Sequence, residues 1–93
     1  MDNFYRMLIE NNTVLLDINV FSDDDNVSLT SVAFNVHDVY LDADNNKLLL
    51  TQENGSVLTL PIQGWQYLGE DFGDSWKVVY KNLNFYIYVE ELN

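Results

Sequence analysis

Residues 48–61 read LLLTQENGSVLTLP and place apolar runs on both sides of an Asn-Gly pair. Such a pair is the strongest short-range signal for a β-hairpin, because a type I′ turn needs positive φ at both central residues. The predicted two-residue turn pairs Glu53 with Ser56 and sets Leu49 opposite Leu60. In this register both faces of the hairpin carry leucines, so we expect it to be covered on both sides.

The alternation typical of strands continues outward from this hairpin. Residues 13–21 (TVLLDINVF) and 28–36 (SLTSVAFNV) alternate apolar and polar side chains. The alternation slips at His37, which indicates a bulge or a corner. Residues 76–81 and 84–89 form two further predicted strands at the end of the chain. The prediction is a mainly β fold: one small antiparallel sheet, curved or a partly closed barrel, of about five to seven strands.

The N-terminal residues fit two patterns. Phe4, Met7 and Leu8 recur at helical spacing, behind acidic and amide residues that are suited to cap a helix. Tyr5, Met7 and Ile9 alternate, as in a strand. The sequence does not decide whether residues 3–10 form a helix or a strand. A short N-terminal helix would place the fold in the α+β class, which is the minor alternative.

Length and composition predict one acidic, β-rich domain over residues 1–93. Hydrophobic residues make up 47% of the chain, enough for a core without disulfides. Cysteine is absent, which excludes disulfides and cysteine-ligated zinc. The N-terminus lacks the pattern of a signal peptide, since Asp2 comes early and Arg6 interrupts a short apolar run. We therefore expect a cytoplasmic protein with no membrane partner.

The charge balance is the strongest global signal. Fifteen Asp and Glu face four Lys and Arg, for a formal net charge of -11. Such a surface repels nucleic acid and anionic membranes, so direct binding to either is not expected. It favours a basic protein as the partner. The alternative is that the acidity only keeps the protein in solution.

Residues 42–46 read DADNN and start like a calcium loop. Oxygen ligands occupy loop positions 1, 3 and 5, and Glu53 occupies position 12. Lys47 takes position 6, where such a loop needs glycine, and no amphipathic helix flanks the stretch. The sequence therefore predicts a turn between two strands, with no metal site and no cofactor.

No catalytic motif is present. His37 is the single histidine, and it is followed by Asp38. The chain has no G-x-S-x-G nucleophile motif, and its glycines neither precede a helix nor neighbour a lysine in a phosphate-binding pattern. We therefore expect a non-enzymatic protein and name no catalytic residue.

Aromatic residues supply one set of candidate partner-binding positions. Trp65 and Tyr67 lie in the glycine-rich stretch 63–75, where they serve either as interface anchors or as a cap on the core. Tyr86 and Tyr88 alternate with apolar residues on the last strand, so we expect both to face outward.

Acidic turns supply the second set of candidates. Loops of a small β domain gather at its ends, so several groups are expected to merge into one negative surface. Carboxylates spaced over a rigid surface imitate the phosphates of a duplex and can occupy a basic groove. The candidate acids are Asp23, Asp24, Asp25, Asp42, Asp44, Glu70, Asp71 and Asp74.

These observations predict a protein-binding inhibitor that blocks a basic surface of its partner, such as the nucleic-acid-binding site of a nuclease. In size and charge the chain resembles small acidic phage proteins that inhibit CRISPR or restriction nucleases, which act as DNA mimics. Alternatives are an immunity protein that neutralises a toxin, an accessory subunit of a larger assembly, and a small-ligand-binding β domain. The oligomeric state stays open.

Overall fold

The computed structural model describes residues 1–69 and 74–93, which form one α-helix, one single-turn 3₁₀ helix and eight strands. Helix α1 spans Asp2–Ile9. The strands are β1 (Val14–Ser22), β2 (Ser28–Val36), β3 (Asp38–Asp42), β4 (Lys47–Thr51), β5 (Val57–Pro61), β6 (Trp65–Gly69), β7 (Ser75–Tyr80) and β8 (Leu83–Leu92).

The described strands form two antiparallel sheets. A five-stranded sheet has the order β2-β1-β8-β7-β6, and a three-stranded sheet has the order β3-β4-β5. The mainly β, antiparallel class is confirmed, but the strands divide between two sheets where one was predicted. The chain passes from the first sheet to the second at His37, whose amide donates to the Thr51 carbonyl at 2.7 Å. The predicted irregularity at this residue is therefore the corner between the sheets.

The core lies between the two sheets, and α1 packs at its edge. Strands β1 and β8 lie side by side at the centre of the larger sheet, with Ile18 opposite Ile87 and Leu16 opposite Val89. Leucines from β4 and β5 fill the space from the other side. The fully buried side chains are Phe4, Val14, Leu16, Ile18, Leu48, Leu50, Leu60, Val78 and Ile87.

The N-terminal residues form a helix, so the strand alternative for residues 3–10 is wrong. Phe4 is buried, stacks on Trp65 with ring centroids 4.6 Å apart, and meets Trp76 edge-on at 5.0 Å. No side chain caps the helix, because the N-cap position is Met1. Asn3, inside the helix, accepts a hydrogen bond from Trp76 Nε1 at 3.0 Å. Burial of one face against two indole rings therefore stabilises this short helix. Among the described residues, no helix has the length and apolarity to cross a membrane.

The hairpin around the Asn-Gly pair forms, but with a three-residue loop. The Gly55 amide donates to the Gln52 carbonyl at 3.0 Å, and the Gln52 amide donates to the Ser56 carbonyl at 2.9 Å. Gly55 has φ of 89°, while Asn54 keeps a negative φ. This is a type I turn followed by a left-handed glycine, and the predicted type I′ turn is wrong.

The extra loop residue shifts the register by one. Leu48 pairs with Leu60 and Leu50 with Leu58, so these leucines share one face. The other face of the smaller sheet is solvent-exposed, and Tyr40 on β3 is 62% exposed there. The expectation that the hairpin is covered on both sides is therefore wrong, because it depended on the register of a two-residue turn.

Candidate protein-binding surface

The five-stranded sheet has one face turned away from the core. Tyr86 and Tyr88 alternate with buried Ile87 on β8 and lie on this outer face, as predicted. Across the central ladder Tyr86 faces Asn19, and Tyr88 faces Asp17. Both α1 and the smaller sheet pack on the opposite side, so among the described residues no element covers these side chains. We call this surface the open face, formed by Asp17, Asn19, Phe21, Lys77, Tyr86 and Tyr88.

Tyr86 is held in place at the centre of the open face. Its ring meets Phe21 at 88° with centroids 5.6 Å apart, and Lys77 Nζ lies 5.6 Å from its centroid. The Tyr86 hydroxyl donates to Asp25 Oδ2 at 3.0 Å. Partial burial raises the pKa of this phenol, and the hydrogen bond to Asp25 acts in the same direction. The group therefore stays neutral at physiological pH and presents a fixed aromatic surface.

Asp25 anchors the β1–β2 turn to β8. It adopts a left-handed backbone with φ of 63°, and its Oδ1 accepts from Asn84 Nδ2 at 2.8 Å. The same amide nitrogen lies 3.2 Å from the Ser22 and Asp23 carbonyls. Lys77 Nζ is 4.0 Å from Asp25 Oδ2. Both carboxylate oxygens of Asp25 thus accept hydrogen bonds within the protein. Asp25 therefore stabilises the turn and is less available to a partner.

Asp24 is also tied to its own turn. Its Oδ1 accepts from Ser22 Oγ at 2.6 Å and from the Asn26 amide at 3.0 Å. These hydrogen bonds lower the pKa of Asp24, the one from Ser22 most strongly. Asp23 is exposed, and the described structure gives its side chain no hydrogen bond. Of the three acids in this turn, Asp23 is the one most available to a partner.

A second group of acids surrounds Tyr88 at the other end of the open face. An open depression there is lined by Leu15, Asp17, Tyr88, Val89, Glu90 and Glu91. The register shifts between Leu15 and Leu16, so that consecutive positions of β1 face Glu91 and Val89. This β-bulge inserts Glu90 beside Glu91 and increases the local density of carboxylates. Three acids therefore lie around one half-buried tyrosine ring.

Sequence reasoning missed this second group. Asp17 alternates with apolar residues on a predicted strand, and Glu90 and Glu91 follow the last strand directly. Their approach to Tyr88 depends on the pairing of β1 with β8, which joins the two ends of the chain. Alternation within each strand predicts which side chains share a face, but it carries no information on which strands are neighbours.

The predicted acidic groups do not gather at one place. Asn84 holds Asp25 at the beginning of β8, whereas the Asp74 carbonyl accepts from the Val89 amide at 3.1 Å near its end. Asp25 and Asp74 therefore lie at opposite ends of the larger sheet. Glu70 and Asp71 lie outside the described residues. The end of the sheet near Val89 instead carries the acids around Tyr88.

Residues 42–46 form a turn, as predicted. Residues 43–45 make a single 3₁₀ turn, and Asp42 Oδ2 accepts from Asn45 Nδ2 at 2.8 Å. Asp42 pairs with Lys47 across the β3–β4 ladder. Glu53 follows the far end of β4, so it does not approach this turn. Asp44 lies in the 3₁₀ turn and is exposed. Among residues 1–69 and 74–93, no three His, Asp or Glu side chains are placed to hold a metal ion.

The other two candidate aromatics belong to the core side of the sheet. Trp65 is half-buried, stacks on Phe4, and donates from Nε1 to the Pro61 carbonyl at 2.7 Å. Tyr67 is more exposed, and its hydroxyl donates to Asp74 Oδ1 at 2.7 Å. Trp65 is therefore a core residue. Tyr86 and Tyr88 are the candidate aromatics that share the open face.

Comparison with known proteins gives no family model, no curated protein and no solved structure that matches this chain. Function therefore has to be inferred from the open face.

Proposed function

We propose that this protein is a non-enzymatic binding domain that uses the open face to bind a basic surface of a partner protein. One observation carries the proposal: Tyr86 and Tyr88 lie together on an uncovered sheet, with Asp17, Glu90 and Glu91 around Tyr88. Tyrosine is enriched at protein interfaces because it offers a large contact area with few rotatable bonds. The strand pairing of β8 holds the backbone of both tyrosines in position before binding.

The chemistry of the open face suits arginine. A guanidinium group stacks on a tyrosine ring and forms paired hydrogen bonds with a carboxylate. The depression at Tyr88 offers both groups together, since the ring adjoins three carboxylates. We infer that an arginine or lysine side chain of the partner occupies this depression, with its stem against Leu15 and Val89.

We further propose that the partner surface is one that normally binds nucleic acid, so that the domain acts as an inhibitor. The net charge of -11 supports this, because such a protein is attracted to the same basic grooves that attract phosphates. Acids on a rigid sheet and its turns would take the place of phosphate groups. Small acidic inhibitors of phage origin, including those of CRISPR and restriction nucleases, are the class of protein that this mechanism would require.

The test is affinity capture from a lysate of the organism that encodes the chain, with four tagged variants beside the wild type. Tyr88→Ala and Asp17→Asn alter the open face. Tyr40→Ala and Asp44→Asn make the same changes on the smaller sheet, where both residues are exposed. We expect Tyr88→Ala to weaken binding about tenfold or more, and both control variants to bind like the wild type. Added DNA should displace the partner.

Two outcomes would overturn parts of this proposal. If Asp44→Asn weakens binding as much as Asp17→Asn, only the total charge matters and the open face is not the site. If binding depends on Tyr88 but excess DNA does not displace the partner, the binding domain stands and the nucleic-acid mimic is wrong. An immunity protein or an accessory subunit would then account for the open face.

A further inference from the structure

Four strands form the edges of the two sheets, and they differ sharply in character. Strand β6 has only five residues, with a positive-φ glycine directly before it (Gly64) and another as its last residue (Gly69), and β5 ends in Pro61. Strand β3 has an aspartate at each end, Asp38 and Asp42. These are the usual means by which proteins prevent edges from pairing. Strand β2 has nine residues, and no Pro, Gly or charged residue lies among them.

The backbone of β2 is available along its outer side. The Asn35 amide points away from β1, since it donates to Gln52 Oε1 at 3.1 Å. In an antiparallel ladder alternate residues point the same way, so the amide and carbonyl groups of Ser31 and Ala33 also point outward. Within the described structure, no strand pairs with β2 on this side. Two residues with free donors and acceptors thus lie at the middle of the edge.

The side chains of β2 are unusually apolar for a solvent-exposed edge. Leu29 and Val32 are exposed, the latter by 45%, and so is Val27 directly before the strand. A long, uncharged, apolar edge is a template for pairing with another chain. In a monomer such an edge exposes the protein to aggregation. The other three edge strands are protected against pairing.

We propose that β2 pairs with β2 of a second copy of this chain, antiparallel about a two-fold axis at Val32. The two five-stranded sheets would then form one continuous sheet. Strand β2 itself offers a basic partner no carboxylate, and Asp17, opposite Ala33, lies one strand further into the sheet. Two copies that each carry a charge of -11 repel least where their surfaces are uncharged. A second copy is therefore the occupant that the edge fits best.

The two-fold axis fixes the register. With Val32 opposite Val32 of the second copy, the outward groups of Ser31 meet those of Ala33 in both directions. Val32 then occupies a non-hydrogen-bonded pair, in which the Cα atoms are about 4.5 Å apart. The exposed valine side chain is buried against its own copy.

Val32→Cys tests this register directly, since the chain contains no other cysteine. Facing positions of a non-hydrogen-bonded pair lie within reach of a disulfide. We expect the variant to form a covalent dimer rapidly under mild oxidation, as seen on a non-reducing gel. Tyr40→Cys is the matched control, because that residue is also exposed on an edge strand. Equally fast cross-linking of both variants would mean random collision and would overturn the proposal.

Sedimentation equilibrium of the unmodified chain provides the second measurement. We expect a monomer–dimer equilibrium that shifts toward the dimer as NaCl is added, because salt screens the repulsion between the copies. Binding of a basic partner would weaken with salt, so the two proposals are tested independently. A chain that stays monomeric at high concentration in both low and high salt would contradict the dimer.

Ala33→Pro removes one outward amide and leaves the ladder to β1 intact, so it should abolish the dimer. Val32→Lys, which places two cations face to face, serves if the proline variant does not fold by circular dichroism. A dimer that persists in folded forms of both variants would show that another surface pairs.

Discussion

At the scale of single residues, Asn84 is the polar side chain on which the open face depends. It is only 4% exposed, and its amide nitrogen lies within hydrogen-bond distance of three oxygens in the β1–β2 turn. Through Asp25 the same contacts hold the hydroxyl of Tyr86. One amide thus links a turn, a buried strand position and an aromatic ring of the candidate site.

We therefore expect Asn84→Ala to lower the free energy of unfolding by about 1–3 kcal/mol, because buried acceptors lose their donor. Urea denaturation would measure the change. Asn19→Ala is the control, since Asn19 lies on the open face opposite Tyr86 without a side-chain hydrogen bond in the described structure. Equal losses of unfolding free energy in the two variants would show that the hydrogen bonds of Asn84 do not stabilise the fold.

Asp24 gives a pH-dependent prediction. Its pKa in the folded protein is lowered, first by the hydrogen bond from Ser22 and then by that from Asn26. A lowered folded pKa stabilises the fold above the ordinary aspartate value, and this contribution is lost as the pH falls through the folded pKa. The wild type should be more stable than Asp24→Asn at pH 7, and the difference should vanish in acid.

Thermal unfolding at a series of pH values would measure that difference. Asp23→Asn is the matched control, because it removes the same charge from a neighbouring exposed residue whose side chain makes no hydrogen bond in the described structure. An unchanged gap between wild type and Asp24→Asn down to strongly acidic pH would contradict the assigned cause.

At the scale of elements, α1 is held by its contacts with tryptophan and not by its own propensity. Eight residues are too few for an isolated helix to be stable in water. Phe4 contacts Trp65 and Trp76, which are the only tryptophans of the chain. The fluorescence of both indoles therefore reports on the docking of this helix.

Phe4→Ala should destabilise the protein by about 3–5 kcal/mol and shift the tryptophan emission to longer wavelength, because both rings gain solvent. Ile9→Ala, in the last turn of the same helix, removes an exposed side chain and should change neither property. Emission spectra and urea denaturation of the two variants would test this. A red shift in the Ile9 variant would indicate that the helix frays as a whole.

The elements also show where sequence reasoning succeeds and where it stops. The period of two in β8 predicts that Tyr86 and Tyr88 face outward, since buried Ile87 lies between them. The Asn-Gly pair predicts a hairpin. The register of that hairpin depends on whether both Asn54 and Gly55 have positive φ or Gly55 alone does. One residue of loop length then decides which leucines share a face. Local patterns therefore predict the strands better than their pairing.

At the scale of the whole molecule, the net charge of -11 acts on folding as well as on binding. Like charges on a compact surface repel, and the four basic residues neutralise few of them. We expect added NaCl to raise the midpoint of thermal unfolding by about 2–5 °C as it screens this repulsion. Differential scanning fluorimetry at low and high salt would measure the shift. A lower midpoint in high salt would mean that attractive ion pairs dominate.

The candidate site is a property of the whole molecule as well. Asp17 and Tyr88 come together only because β1 pairs with β8, and nothing in either stretch specifies the other. The sequence predicts an acidic binding protein with outward tyrosines, whereas the strand order selects the acids that surround them.

The pairing of β1 with β8 has a further consequence for synthesis in the cell. A ribosome releases β1 long before β8 exists, so β1 emerges without the strand that pairs with it on one side. The nascent chain can form the smaller sheet early, because β3, β4 and β5 are consecutive and joined by short turns. The larger sheet must wait for translation of its last strand. Until then, two long apolar strands are exposed to chaperones and to neighbouring nascent chains.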